Sequence, residues 1–117
     1  MSYVDGFVLA VPRANLDAYR AFAQAAAEVW REHGALAVVE AVGDDVPYGK
    51  RTSFPRAVQA TEDEAVVLSW ILHASRETRD ATNARVMRDP RITAVMDRMP
   101  FDGTRLIFGG FAPIVEV

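Results

Sequence analysis

The chain has 117 residues, half of them apolar and a quarter charged, with a formal net charge of −3 and a pI near 5.3. It contains no cysteine, which removes disulfide frameworks, thiolate metal sites, iron–sulfur clusters and cysteine nucleophiles. The acidic balance argues against a nucleic-acid partner, no apolar run approaches the ~20 residues of a membrane span, and the opening MSYVDGF lacks a charged region followed by an apolar stretch, so one cytoplasmic domain is expected.

Tyr3–Val11 is rich in aromatic and β-branched residues and predicts the first strand, ended by Pro12. Asn15 is placed to cap a helix over Leu16–His33, where Leu16, Tyr19, Phe22, Ala23, Ala26, Val29, Trp30 and His33 recur at helical spacing. Gly34 stands where a C-cap glycine belongs. Ala35–Val42 reads as the second strand. Leu36, Val38, Glu40 and Val42 share one face, and Ala35, Ala37, Val39 and Ala41 form a small-residue face suited to contact with a helix.

Gly43–Pro55 (GDDVPYGKRTSFP) has two glycines, two prolines and paired aspartates, the composition of a loop, and loops of this length are often functional. Arg56–Ala60 is expected to extend again. Ala65–Ala74 is the third strand, within the segment EAVVLSWILHA, which is apolar on both faces. Val66, Leu68, Trp70 and Leu72 point one way; Val67, Ser69, Ile71 and His73 point the other. Ser75 opens a helix near Arg76–Arg88. Asp89-Pro90 restarts it as Arg91–Arg98, and Pro100 stops it. Asp102-Gly103 signals a turn before a fourth strand, Thr104–Phe111, with Pro113–Val117 as a short tail strand.

This order predicts an α+β, ferredoxin-like β-α-β-β-α-β fold: a four-stranded antiparallel sheet with both helices on one face. The other face is left bare, and an apolar face of that size is expected to pack on a second copy, giving a homodimeric α+β barrel. The pattern leaves open which face of the third strand meets the helices. If the Val67 and Ile71 face is the seam, aspartate at either position dissociates the pair.

Among candidate functional residues the two histidines come first, because histidine titrates near neutral pH. His33 beside Gly34 has a sufficient structural role at the helix C-terminus. His73 is the candidate catalytic base. Ser69 lies on the same face but about 13 Å away along an extended strand, too far for a nucleophile–base pair. No HxxxH, HExxH or HxH spacing exists, and Asp44-Asp45 reads as turn chemistry, so no metal is expected. Gly49-Lys50-Arg51-Thr52 lacks the earlier glycine and the following helix of a P-loop. Lys50, Arg51 and Arg56 can still hold a carboxylate or phosphate on a small ligand. Trp70, Tyr48 and Phe101 join Lys50 and Arg51 as candidate ligand-binding residues, with no cofactor expected. Gly109-Gly110 marks a bulge or a close approach in the last strand.

YVDGFVLAVP at Tyr3–Pro12, VWREHGAL at Val29–Leu36, VGDDVPYGKRTSFPRAVQ at Val42–Gln59, NARVMRDPR at Asn83–Arg91 and MPFDGTRLIFGGF at Met99–Phe111 together resemble the YbaA-like family of bacterial proteins, a family of unknown function. The resemblance covers nearly the whole chain. It implies a dimeric α+β barrel of ferredoxin-like subunits and implies no activity. The wider structural class includes cofactor-free monooxygenases, isomerases and haem-degrading enzymes; the last need an asparagine on an early strand, which no strand here carries.

The expected function is a small homodimer that binds a small organic molecule between sheet and helices. Trp70 or His73 would line that site and Gly43–Pro55 would gate it. One alternative is a cofactor-independent monooxygenase- or isomerase-like enzyme with His73 as base and Arg51 as anion holder. Another is a non-catalytic stress or accessory protein.

Overall fold

The computed structural model describes residues 1–117. Its elements are β1 (Tyr3–Pro12), α1 (Leu16–Glu32), β2 (Ala37–Val42), α2 (Phe54–Ala57), β3 (Glu64–His73), α3 (Arg76–Met87), α4 (Pro90–Met96) and β4 (Ile107–Phe111). The strands form one four-stranded sheet in the order β2-β3-β1-β4, every neighbouring pair antiparallel. This is the ferredoxin-like α+β arrangement that the element order predicts.

Local chemistry sets most of the boundaries. Gly34 ends α1 with φ of +121°, a conformation that side chains with a Cβ rarely adopt. The Ser75 hydroxyl accepts from the Thr78 amide at 3.0 Å to start α3, and the Asp89 carboxylate accepts from the Arg91 amide at 3.0 Å to start α4. Asn15 precedes α1 without capping it; its Nδ2 instead donates to the Pro100 carbonyl at 3.0 Å, tying the entry of α1 to the chain after α4.

Three expectations are corrected. Residues 54–57 are helical rather than extended, because Ser53 caps them by accepting from the Arg56 amide at 3.1 Å. β4 begins at Ile107 because Asp102 accepts from the Thr104 amide at 3.0 Å and folds Gly103–Arg105 into a tight 3-10 turn. The tail after Phe111 pairs with no strand.

The register settles which face meets the helices. Leu9 of β1 lies opposite Val67, and Asp5 lies opposite Ile71. Leu9, Val11 and Val67 pack with Tyr19 and Ala23 of α1 into the main core cluster. A second cluster joins Val29 of α1, Val86 of α3 and Ile92 of α4. The Val67 and Ile71 face is therefore the interior, with Val67 0% and Ile71 5% exposed. It is not the free face on which a seam could form. The alanine face of β2 is likewise not the helix side: Ala37 and Ala41 align with Leu72 and Leu68 on the opposite face, while Val38, Glu40 and Val42 turn toward the helices.

That opposite face is apolar throughout its centre. Val4, Gly6 and Val8 of β1, Val39 of β2, Leu68, Trp70 and Leu72 of β3, and Ile107 and Phe111 of β4 alternate onto it. Leu68 is 40%, Ile107 46% and Phe111 61% exposed. Such a patch is larger than scattered surface hydrophobes produce.

Candidate functional site

Between the inner sheet face and the helices lies a half-open cavity of about 130 Å³. Phe7, Leu9, Val38 and Ile71 form its sheet wall. α1 supplies Tyr19, Phe22 and Trp30 on the opposite side, and the chain after α4 supplies Met99 and Phe101. Tyr19 and Phe22 each meet Phe101 edge-on, with ring centroids 5.7 Å apart. Ala23, Ala26 and Ala27 on α1 are too small to fill the gap, so the alanine-rich helix creates the space. β2 is an edge strand, and a wider cleft of about 480 Å³ between it and α1 shares Tyr19, Ala23, Ala27, Val38 and Glu40 with the cavity.

Glu40 stands where cavity and cleft join. The Tyr19 hydroxyl donates to its Oε1 at 2.5 Å, and the Ser69 hydroxyl donates to its Oε2 at 2.8 Å. One helix and two strands are thereby tied to one carboxyl group. Burial, with the bond to Glu40 as a second cause, pushes the Tyr19 phenol well above its ordinary range, so it stays protonated as the donor. The indole Nε1 of Trp30 donates to Asn83 Oδ1 at 3.1 Å, which fixes the far wall.

His73 occupies a different environment. It is fully buried, and its Nε2 lies 3.2 Å from Asp5 Oδ2 without the alignment of a hydrogen bond. Asp5 instead accepts from Arg79 of α3, with Nε at 3.0 and 3.1 Å and Nη2 at 2.8 Å. Burial pushes the His73 imidazole below its ordinary 6.5, against the pull of Asp5. The residue does not line the cavity.

Of the other residues named from the sequence, Phe101 lines the cavity. Trp70 does not: strand alternation places it on the opposite face, 37% exposed. Tyr48 lies in a surface groove with Val46, Pro55 and Glu62, and the Arg56 guanidinium stacks 3.9 Å from its ring centroid. Arg56 also donates to the Tyr48 and Gly49 carbonyls, each at 3.0 Å, which holds the loop's shape. Lys50 and Arg51 are exposed on the same loop. These loop residues and the cavity are separate places, and the structure brings none of them beside His73.

Reading the sequence alone missed the Tyr19–Glu40–Ser69 network. Its signal was a single charged residue inside the apolar strand AVVEAV, sharing its face with Val38 and Val42. The glycine pair in β4 has a located cause at Gly110, where a Cβ would run into the Tyr3 ring.

The sheet with its helices on one face, and an apolar cavity between the two layers, define a ferredoxin-like α+β protein. Residues 2–103 match the model of a family described as a protein of unknown function, DUF1428, and the chain belongs to that family. It is 53% identical over 116 residues to the uncharacterised protein YbaA of Escherichia coli strain K12, covering 99% of both chains. It has the same identity and coverage against the uncharacterised protein YbaA of Shigella flexneri. Among solved structures, Rv0793 from Mycobacterium tuberculosis superposes with a TM-score of 0.60 at 15% identity, covering 99% of this chain and 98% of that one. The de novo designed protein Foldit4 superposes with a TM-score of 0.50 at 16% identity, covering 97% and 99%. At these identities the two structures speak for the fold alone.

Proposed function

We propose that the protein is a cytoplasmic homodimer that binds a small, mainly apolar organic molecule in the cavity between sheet and helices. The observation that carries this reading is the cavity itself: apolar and aromatic walls converge on one polar network where the cavity meets a wider cleft. A core built only for stability fills such a space with side chains. Here alanines face it instead. Phe101 belongs to the proposed binding set; His73, Trp70, Tyr48, Lys50 and Arg51 lie elsewhere, and no catalytic step is assigned to His73.

The free sheet face supports the dimer. A twofold axis through it would set Leu68, Trp70 and Phe111 against the same residues of a second copy and remove the patch from water. No helix is long and apolar enough to cross a membrane, and a chain without cysteine needs no oxidising compartment to fold.

Native mass spectrometry of protein purified gently from cells tests both parts at once. The expected species has twice the 12.9 kDa chain mass plus a small adduct. The adduct should disappear in Ala27→Phe, which fills the junction of cavity and cleft. A monomer mass without an adduct contradicts the proposal.

A further inference from the structure

The hydrogen-bond inventory of the cavity goes beyond its shape and, resting on the binding reading above, specifies what a ligand must offer. The side chains in its lining that can donate are those of Tyr19, Ser69 and Trp30. Each is already committed. Tyr19 and Ser69 both donate to Glu40, at 2.5 and 2.8 Å, and Trp30 donates to Asn83 at 3.1 Å. No lysine or arginine lines the cavity. What remains free is acceptor capacity: the second lone pairs of the Glu40 oxygens and those of the two hydroxyls.

We propose that the cavity selects apolar small molecules carrying an O–H or N–H donor, which bonds Glu40, and discriminates against carboxylates and against ethers that only accept. Within the cavity a ligand carboxylate would meet the Glu40 charge with no free donor side chain beside it, Arg20 and Gln24 lining only the outer cleft, and an ether oxygen turned toward Glu40 would find no donor. Hydroxyl and protonated amine share the required chemistry, and a matched series separates them.

The test is titration calorimetry of the intact protein with p-cresol, 4-methylbenzylamine, 4-methylanisole and p-toluate, which keep one ring and change its polar group. At least one of the two donors is expected to bind about tenfold or more tightly than the ether, the scale of a hydrogen bond to a charged group. The member that does so tells hydroxyl from ammonium, and p-toluate is expected to bind weakest. Glu40→Gln supplies an amide donor and should bring the donor-to-ether ratio toward one. Tyr19→Phe keeps the carboxyl group and should keep the preference, so a folding defect in one variant leaves the other informative. Equal binding of donors and ether, or p-toluate binding as tightly as the donors, overturns the inference while leaving a binding cavity. If no member of the series binds, the cavity reading falls and this inference falls with it.

Discussion

Glu40 on β2 stands directly opposite Ser69 on β3 in the sheet register, and the Ser69 hydroxyl bonds its carboxyl group at 2.8 Å. The pair is the floor on which Tyr19 of α1 closes, with its own bond to the other oxygen at 2.5 Å. A cross-strand pair thus becomes a helix-to-sheet tie at the edge of the cavity.

The Tyr19 phenol gives this tie a pH signature. In the unfolded chain it ionises near 10.0, whereas in the fold burial and Glu40 hold its proton to higher pH. The unfolded state then releases a proton that the native state keeps, so stability falls as pH rises above 10.0. Tyr19→Phe should flatten that alkaline limb in denaturant titrations and cost about 1 kcal/mol at neutral pH through the lost hydrogen bond.

At the head of β3 the sign is reversed. Glu64 accepts from Arg105 at 2.8 and 2.6 Å and from the Thr61 amide at 2.8 Å. The bond to Arg105 is the main reason its carboxyl is held down to about 2 from an ordinary 4.5. Its contribution is complete above pH 4.5 and is lost as pH falls toward 2. Arg105→Met should therefore move the acid-unfolding midpoint to higher pH, read by circular dichroism against pH.

Two neighbouring residues of β3 separate fold from assembly. Val67 lies beneath the helices with 0% exposure, and Leu68 lies on the free face with 40% exposure. Val67→Asp should destabilise the fold by several kcal/mol, because it buries a charge without a partner. Leu68→Asp should leave thermal unfolding cooperative and convert the proposed dimer to monomer in sedimentation equilibrium.

Gly34 allows a simpler test of local strain. At its φ of +121° an added Cβ would also sit 3.0 Å from Thr82 Oγ1, the hydroxyl that donates to the His33 carbonyl at 3.0 Å. Gly34→Ala should lower stability by more than about 1 kcal/mol in urea titrations.

The order of elements was legible because punctuation in this chain is local. Gly34, Ser75 and Asp89-Pro90 act through their own backbone neighbours, and the structure places helix ends beside each. The sidedness of the sheet was not legible, because β3 is apolar on both faces and alternation alone does not rank Val67 and Ile71 against Leu68 and Trp70. The alanines of β2 suggested a helix contact, but the alanines that matter for the cavity lie on α1. The site was hidden for a related reason. Tyr19, Glu40 and Ser69 are far apart in sequence and meet only once the register of β2 on β3 is set. His73 is a titrating side chain in an apolar strand, yet the Asp5 carboxylate it faces and the Arg79 that binds Asp5 lie on two other elements.

Ligand binding and dimer packing are both read from a crystal structure of the protein purified from cells and soaked with p-cresol. Ring density is expected between Phe22, Trp30 and Phe101, with the hydroxyl on Glu40, and two copies packed through Leu68 and Trp70. A cavity closed by Met99 and Phe101 moving in to meet the sheet, with no ring density, would contradict it.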